Sequence, residues 1–222
     1  MENLTLVIPA KNEKESLPLV LKELKKYKLK KIVVLEKSDL ATIKSIKKYN
    51  CRILHQKNKG YGDAIVQGIN DVKTKYFCIF NADGSFDPKE LSNMMKLIQN
   101  KSLDIIFASR YEKNCSSDDD TIVTYLGNMI FTNLGKLFFN LNITDILYTF
   151  VIGNTKKIKK LRLKSKDFVL CVELPILSKR KSLKIGTSKS NERARLGGKK
   201  KVNALRDGYL ILIGMIKLFF KN

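Results

Sequence analysis

The chain has 222 residues, of which 44% are hydrophobic, so it can bury one sizeable core and a single domain is the expectation. Its 43 Lys and Arg against 21 Asp and Glu give a formal charge of +22, which predicts an anionic partner: nucleic acid, a phosphorylated substrate or an acidic membrane surface. Four scattered cysteines without a Cys-x-x-Cys pair, together with a single histidine, argue against a zinc site and are typical of a reduced, cytoplasmic protein.

In the first half, apolar runs alternate with segments whose apolar residues recur at helical spacing. The predicted strands are LTLVIP, KKIVVLE, CRILH, KYFCIF and LDIIFAS. The predicted helices between them cover 13–26, 40–49, 63–72 and 88–99. This alternation indicates βαβ units and an α/β fold, with a mostly parallel sheet covered by helices on both faces. Ligands of such sheets bind beyond the carboxyl ends of the strands.

The second half changes character. It holds a polar loop, CSSDDD, a helical segment or two at 121–141, a mixed segment at 168–179 and a basic loop, NERARLGGKKK. A final amphipathic helix is predicted at 203–221, where it could lie in a membrane interface or pack on the sheet. Its longest apolar run, GYLILIGMI, is shorter than the roughly 20 residues that span a bilayer. We therefore expect no transmembrane helix, and the opening MENLTLVIPA has no signal-peptide pattern.

The stretch FNADGSFDP brings polar side chains to the end of a buried strand. Asp87, followed by Pro88 and Glu90, is explained by the start of a helix. Asp83, beside a glycine, has no such role, and its carboxylate suits a divalent cation bound to a diphosphate. Asn81 offers a weaker, neutral oxygen.

Three other basic or glycine-containing stretches lie on the same predicted rim or face it. The pair of glycines in NKGYGDA opens a helix, where backbone amides could meet an anion, although a plain turn explains them better. Arg110 follows the fifth strand and could bind a phosphate or simply lie on the surface. The basic loop contains Arg193, Arg195 and 199–201; it could close over a diphosphate or remain solvated.

The order of these motifs resembles a known family. LVIPAKNE, NKGYGDA, FNADGSFDP, ASRY and RLGGKKKVNALRDG follow one another as in family 2 glycosyltransferases of the GT-A fold. From Leu4 to about Lys217 the chain is most similar to dolichyl-phosphate mannose synthases and related polyprenyl-phosphate glycosyltransferases. The resemblance implies a nucleotide sugar donor, Mg²⁺ or Mn²⁺ as cofactor, and inversion at the anomeric carbon. It also implies one GT-A domain over 1–222, with a donor half at 1–114, an acceptor half with the basic loop at 115–202, and the amphipathic helix at 203–222.

The resemblance also implies roles for individual residues. The implied base and ribose contacts are Pro9, Lys11, Glu13, Val34 and Glu36. The implied metal ligands are Asp83 and Asn81, with Ala82 between them as a further donor contact. Arg110 corresponds to a contact with the donor phosphate or sugar, Arg195 and Lys201 to the loop that closes over the diphosphate, and Glu173 to an acidic position near the acceptor. Asp83, Glu173 and Arg195 are the implied catalytic residues.

Two departures from the family pattern concern charge. Leu35 and Glu36 stand where the family has two aspartates, and Asn81 replaces the first aspartate of the metal motif. Because hard cations prefer charged oxygens, Asn81 predicts weaker metal binding.

The predicted reaction is transfer from GDP-mannose or a UDP-sugar to a polyprenyl (dolichyl or undecaprenyl) phosphate at the cytoplasmic membrane face, by a protein peripherally bound to an anionic membrane. A lipid phosphate is already anionic and needs no general base, whereas a glycan hydroxyl in surface polysaccharide synthesis would need one, for which Glu173 is the candidate. A non-catalytic nucleotide-binding or nucleic-acid-binding protein is the remaining alternative. No nucleic-acid motif is present, so no nucleic-acid partner is expected. Solvated lysine-rich faces would explain part of the charge.

Overall fold

A single mixed sheet forms the centre of the computed structural model, which describes residues 1–198 and 200–221 of the chain. In the described residues its strands are β1 (Leu4–Pro9), β2 (Lys30–Leu35), β3 (Arg52–His55), β4 (Tyr76–Ile79), β5 (Ile105–Ser109), β6 (Val151–Asn154) and β7 (Ile185–Lys189). Their order in the sheet is β3-β2-β1-β4-β6-β5-β7. Adjacent strands are parallel except at β6, which runs antiparallel to both β4 and β5.

Helices cover both faces of this sheet. They are α1 (Ser16–Glu23), α2 (Leu40–Ile46), α3 (Tyr61–Asp71), α4 (Glu90–Asn100), α5 (Ile122–Phe139), α6 (Thr155–Lys159), α7 (Leu170–Arg180) and α8 (Ala204–Phe220), with a 3₁₀ turn at Leu24–Tyr27. Lys199 of the predicted basic loop and Asn222 of the predicted last helix lie outside the described residues.

Alternate side chains of each strand enter two separate cores. Leu6 and Ile8 of β1 face α1 and α4 in one core, whereas Val7 faces the core formed with α3 and α7. Because successive side chains of a strand point to opposite faces, a strand that is apolar throughout needs helices on both sides. β1 is apolar except for Thr5, so its fully buried pattern follows from its sequence.

The α/β fold with a mostly parallel sheet and helices on both faces is confirmed. The sequence-based prediction missed β6 and β7, which lie in the second half of the chain and complete the same sheet. Inside β6, a Cβ atom on Gly153 would lie 2.8 Å from the ring of Phe77 on β4, so a larger residue would collide with that ring. The segment predicted as one or two helices at 121–141 is one helix, α5.

The start of α4 differs slightly from the prediction. The helix begins at Glu90, and Asp87 accepts a hydrogen bond from the backbone N–H of Lys89 (2.9 Å) in the turn before it. Glu90 does not complete a capping box; its carboxylate accepts from the backbone N–H of Asn191 (2.8 Å). Asp87 thus keeps a structural role, and Glu90 connects this helix to the start of the basic loop.

The last helix is buried along one side, where it packs on α5 and α7, and exposed along the other. Ile211 and Met215 of α8 are buried in the second core, whereas Leu205 is 85% exposed and Phe220 is 80% exposed. Within residues 1–198 and 200–221, none of the helices combines the length and apolar character needed to cross a membrane.

Candidate active site

A cleft of about 830 Å³ opens at the carboxyl ends of β1 and β4, which is where ligands of open parallel sheets bind. Ten of the twelve residues predicted for the site line this one cleft. They are Pro9, Lys11, Glu13, Glu36, Asn81, Ala82, Asp83, Arg110, Arg195 and Lys201. The fold therefore gathers side chains from strand ends and from the basic loop that are up to 192 positions apart in the chain (201 minus 9).

The loop after β4 presents Asn81 and Asp83 to the cleft. One carboxylate oxygen of Asp83 accepts hydrogen bonds from the backbone N–H (3.0 Å) and the hydroxyl (2.8 Å) of Ser85. The other oxygen lies 3.3 Å from the guanidinium of Arg195. Ser85 thus fixes the orientation of the carboxylate so that its second oxygen faces the cleft and the basic loop.

Gly84 lets the basic loop lie directly on this turn. Its φ of +87° favours glycine, and a Cβ atom there would lie 2.5 Å from the Leu196 side chain. The backbone N–H of Leu196 donates to the carbonyl of Asp83 (2.7 Å), and that of Arg193 donates to the carbonyl of Ser85 (2.9 Å). The basic loop is therefore seated on the Asp83 turn by backbone hydrogen bonds.

Arg193 holds the base of the basic loop in place. Its guanidinium forms an ion pair with Glu23 (2.8 Å) and donates to the carbonyls of Gly84 (2.8 Å) and Phe86 (2.7 Å). With these partners Arg193 serves as an anchor for the loop, and it does not line the cleft.

The cations of the basic loop pair with carboxylates of the cleft. Arg195 lies 3.3 Å from both Asp83 and Asp119, and Lys201 lies 2.5 Å from Glu13. Lys200 donates to the carbonyl of Asp119 (2.9 Å). Burial opposes the charge on Arg195, but the bonds to Asp119 and Asp83 outweigh it and raise the pKa of the guanidinium. Arg195 is therefore a permanent cation beside Asp83.

Asp119 is a site residue that the sequence-based prediction missed. It belongs to the polar loop CSSDDD, which pairs with the basic loop: the backbone N–H of Asp118 donates to the carbonyl of Glu192 (3.0 Å), and that of Glu192 donates to the carbonyl of Ser116 (3.0 Å). This pairing brings Asp119 to Arg195. The run of three aspartates was the available signal, but its partner is 76 residues away in the sequence.

Arg110 lies in the cleft wall, where its charge is already compensated. Its guanidinium donates twice to Asp145 (2.8 and 3.0 Å) and once to Glu192 (2.9 Å). Burial opposes its charge, but the carboxylates outweigh burial and raise the pKa of Arg110. Arg110 thus joins the end of β5 to the start of the basic loop. Because both carboxylates are close and well aligned, its guanidinium is not free in this structure to bind a phosphate.

One end of the cleft is formed by the segment after β1. Glu13 is only 6% exposed; it accepts from the Ser16 hydroxyl (2.5 Å) besides binding Lys201. Lys11 forms an ion pair with Glu36 (3.2 Å), the residue that stands in place of an aspartate after β2. The predicted contacts Lys11, Glu13 and Glu36 are thus neighbours on one wall.

Tyr61 is a second residue that the prediction missed. It follows Gly60, is stacked on Phe168 and donates to the Asn81 side chain (3.3 Å), while its hydroxyl also lies 2.7 Å from that of Thr149. Burial raises the pKa of Tyr61, so its hydroxyl stays protonated and can donate. Tyr61 therefore orients the amide that replaces the family's first aspartate.

The glycine pair packs against another segment of the chain, as the plain-turn interpretation expects. A Cβ atom on Gly60 would lie 2.0 Å from the Lys166 carbonyl oxygen, and one on Gly62 would lie 2.5 Å from that of Ser165. The backbone N–H of Asp63 donates to the Lys166 carbonyl (3.0 Å). The glycines therefore make room for the chain segment that forms the next part of the cleft wall.

Two predicted site residues do not reach the cleft. Val34 is fully buried, with its side chain packed beside Gly68 of α3 in the second core. Glu173 is 5% exposed and accepts hydrogen bonds from the backbone N–H groups of Lys164 (3.0 Å) and Ser165 (2.8 Å). Its role is to hold the segment at 164–167 in place, because a buried carboxylate satisfied by backbone amides is not available to a substrate. The side chains of Glu173 and Val34 therefore lie outside the cleft, and this position does not support Glu173 as the acceptor base.

The donor atoms near Asp83 fit a divalent cation only in part. Across residues 1–198 and 200–221, no three or more His, Cys, Asp or Glu side chains gather as a metal cluster. One carboxylate, Asp83, and one amide, Asn81, are nevertheless present. Mg²⁺ is commonly held by one or two carboxylates together with substrate phosphates. This donor set therefore fits a cation that takes most of its ligands from a diphosphate.

A family model and two relatives match the chain. The model described as Glycosyl transferase family 2 matches residues 5–162. The chain is 29% identical over 194 residues to Uncharacterized protein MJ1222 of Methanocaldococcus jannaschii, covering 83% of this chain and 79% of the relative. It is 23% identical over 205 residues to a UDP-N-acetylglucosamine–dolichyl-phosphate N-acetylglucosaminyltransferase of Methanococcus voltae, covering 82% of each.

Solved structures share the fold at low sequence identity. A glucosyl-3-phosphoglycerate synthase from Mycobacterium tuberculosis in complex with UDP has a TM-score of 0.78 at 12% identity, covering 97% of this chain and 79% of that one. A mannosyl-3-phosphoglycerate synthase from Rubrobacter xylanophilus has a TM-score of 0.73 at 14% identity, covering 97% and 72%. Another crystal structure of the mycobacterial enzyme contains Mn²⁺, UDP-glucose and phosphoglyceric acid, and a further one contains Mg²⁺ and UDP.

Proposed function

The chain belongs to glycosyl transferase family 2 and has the GT-A fold, and from this premise we propose that it moves a sugar from a nucleoside-diphosphate sugar to a polyprenyl phosphate, with inversion at the anomeric carbon. The donor is GDP-mannose or a UDP-sugar. The reaction takes place at the cytoplasmic face of an anionic membrane to which the protein binds peripherally.

The donor side of the proposal rests on the wall formed by the segment after β1 and the loop after β4. Lys11, Glu13 and Glu36 would hold the base and ribose, and Asp83 faces the position of the diphosphate. Arg195 and Lys201 are cations beside these carboxylates. Because a diphosphate would add negative charge here, both cations can bind it through charge-assisted hydrogen bonds.

Apolar side chains in the cleft are the observation that carries the choice of a lipid phosphate. Val123, Leu126 and Ile130 of α5, together with Leu205 and Ile211 of α8, line the same cleft as Asp83 and Arg195. A glycan hydroxyl acceptor would expose these side chains to a polar ligand, whereas a polyprenyl chain would bury them. The relative from Methanococcus voltae, whose name specifies dolichyl phosphate, supports the same acceptor class.

The reaction would be a single in-line displacement. A phosphate oxygen of the acceptor forms the new bond to the sugar C1 as the bond from C1 to the donor diphosphate breaks, and the nucleoside diphosphate leaves with the electron pair. Arg195 and Lys201 stabilise the negative charge that develops on the leaving group. Mg²⁺ or Mn²⁺, held by Asp83 and Asn81 together with the diphosphate, would supply further charge stabilisation. No proton has to be removed from an ionised phosphate, which agrees with the position of Glu173 outside the cleft.

A panel of radiolabelled nucleotide sugars tests this proposal. Each donor is incubated with Mg²⁺ or Mn²⁺ and with or without a polyprenyl phosphate in detergent, and label is counted in the organic phase. The expected result is one preferred donor whose sugar enters the lipid fraction only with the acceptor present. Nucleotide binding by calorimetry without transfer to any acceptor would instead identify a nucleotide-binding protein without turnover.

A further inference from the structure

Two helices of the second half expose apolar side chains to solvent. On α5, Ile122 is 79% exposed and Leu137 is 76% exposed. On α8, Leu205 is 85% exposed and Phe220 is 80% exposed. The further exposed apolar residues of these helices are Val123, Tyr125, Leu126, Met129, Ile130, Phe138, Tyr209, Leu210, Leu212, Ile216 and Phe219. We refer to these exposed residues together as the α5–α8 face.

The exposed part of α8 has an ordered arrangement. With 3.6 residues per turn, the exposed Leu212, Ile216 and Tyr209 fall on one arc of the helix, beside the face that is buried in the core. The basic residues Arg206 and Lys217 follow at one edge of that arc. An apolar strip bordered by cations is the pattern of a helix that lies in a membrane interface.

The charges of the α5–α8 face are of one sign. The α5 sequence IVTYLGNMIFTNLGKLFF contains no acidic residue, and its one charged residue is Lys136. On α8 the single acidic residue, Asp207, is 3% exposed and accepts from the backbone N–H of Asn203 (2.8 Å). The face therefore offers apolar and basic groups to a partner, and its complement is an apolar surface with negative charge.

The α5–α8 face continues into the cleft. The two helices pack on each other, with the ring of Phe219 lying 5.7 Å from that of Phe138 and 6.1 Å from that of Phe139. Val123 and Leu205 are exposed on the outside and also line the cleft. A partner on this face would thus meet the acceptor side of the cleft.

We propose that the α5–α8 face docks on the surface of an anionic lipid bilayer, so that the mouth of the cleft meets the lipid headgroups. Both helices lie in the interface, and the basic residues at the edge of the face bind acidic headgroups. A second copy of this chain is the other apolar occupant to consider. It is disfavoured because each copy carries a formal charge of +22, and two copies face to face would repel each other.

The purpose of this docking, which is to bring the cleft to an acceptor that resides in the membrane, rests on the proposed function. The docking itself is independent of turnover and is tested without donor or acceptor. Sugar transfer to a polyprenyl phosphate in detergent, where no bilayer is present, tests the proposed function separately, so the failure of one is distinguishable from the failure of the other.

Co-sedimentation with vesicles tests the docking. The variant L137E/I216E places two carboxylates on the α5–α8 face, and neither residue lines the cleft. The matched control L19E/L40E makes the same change in charge at two exposed leucines of α1 and α2, which lie outside the face. The variant L137S/I216S is the substitute if the carboxylates prevent folding. Each protein is sedimented with phosphatidylglycerol-containing or pure phosphatidylcholine vesicles at low and high salt, and its UDP or GDP affinity is measured in parallel.

The wild-type protein and L19E/L40E are expected to bind the anionic vesicles, and salt should weaken that binding. L137E/I216E is expected to bind at least about tenfold more weakly while keeping its nucleotide affinity. Equal binding by L137E/I216E and L19E/L40E would overturn the proposal, because it would reveal attraction by overall charge alone. Absence of wild-type binding, with a dimer that L137E/I216E abolishes, would overturn it in favour of a second copy.

Discussion

Removal of the Arg195 side chain separates its role in the reaction from its role in the fold. In the Arg195→Ala variant, Asp83 and Asp119 each lose a cation at 3.3 Å, and the donor diphosphate loses the group that we expect to stabilise it. The first loss affects the stability of the fold and the second affects the rate of sugar transfer. The experiment compares the sizes of these two effects.

The effect on stability should be small. The Arg195 side chain is 21% exposed, and ion pairs open to solvent contribute roughly 0.2–1 kcal/mol each. Losing two of them should lower the free energy of unfolding by about 1 kcal/mol, which for a chain of this size lowers Tm by about 2–4 °C. The effect on rate should be far larger, because removing one group that stabilises developing negative charge typically lowers kcat by about 10²–10³-fold.

The assay compares initial rates of sugar transfer at saturating donor with Tm by circular dichroism. Arg52→Ala is the matched control: Arg52 forms an ion pair with Asp71 (2.9 Å), its side chain is 59% exposed, and it does not line the cleft. This control should lose no more stability than Arg195→Ala and keep the wild-type rate. If the rate of Arg195→Ala stays within about threefold of wild type, Arg195 takes no part in leaving-group stabilisation.

Four further substitutions test the site. Asp83→Asn should lower transfer by at least about 10²-fold and weaken the response to Mn²⁺, whereas an unchanged metal titration would remove Asp83 from the cation site. Glu173→Gln should lower the free energy of unfolding by roughly 1–3 kcal/mol, because the side chain loses charged hydrogen bonds, and it should change the rate of transfer only a few-fold. A loss of rate at unchanged Tm would instead indicate that Glu173 acts as a base. Gly84→Ala should cost about 1–3 kcal/mol and slow transfer, because its φ and Leu196 leave no room for Cβ; a neutral effect would show that the basic loop is not seated there. Asp119→Asn should tighten UDP or GDP binding a few-fold in calorimetry, because a carboxylate that competes for Arg195 is gone; weaker binding would contradict that competition.

The first half of the fold was predictable because most of its strands are buried on both faces. Runs such as LTLVIP are apolar at every position except Thr5, and they alternate with amphipathic helices. The missed strands give little such signal. β7 has the sequence IGTSK and lies at the edge of the sheet, and β6 has four residues, one of them glycine. Their assignment depends on neighbours that are distant in sequence.

The site was predictable where its residues directly follow a strand. Asp83 and Asn81 come after β4, and the parallel strands bring them to the same rim as Glu13. The buried position of Glu173 was not predictable, because its place in the family pattern does not tell which face of α7 enters the cleft. Asp119 was missed because its contact with the basic loop comes from the pairing of two loops, and no local periodicity encodes it.

The unexpected surroundings of Val34 and Arg110 have a common physical basis. Val34 lies in the run KKIVVLE, which has no polar alternation, so the sequence does not determine which of its side chains face α3. Arg110 was assigned to a phosphate because its charge was visible, whereas its buried partner Asp145 lies 35 positions away. In both cases the residue type was known and its surroundings were not.

The choice between two acceptors that differ in one group is the most direct test of a lipid phosphate acceptor. With the preferred donor, initial rates of transfer are compared for a polyprenyl phosphate and for the polyprenol of the same chain length, which presents a hydroxyl in place of the phosphate. We expect transfer to the phosphate alone, giving a lipid-linked sugar phosphate with inverted anomeric configuration, because the cleft offers cations and an apolar wall and Glu173 lies outside it. Comparable transfer to the polyprenol, or to a glycan hydroxyl in preference to both, would contradict it.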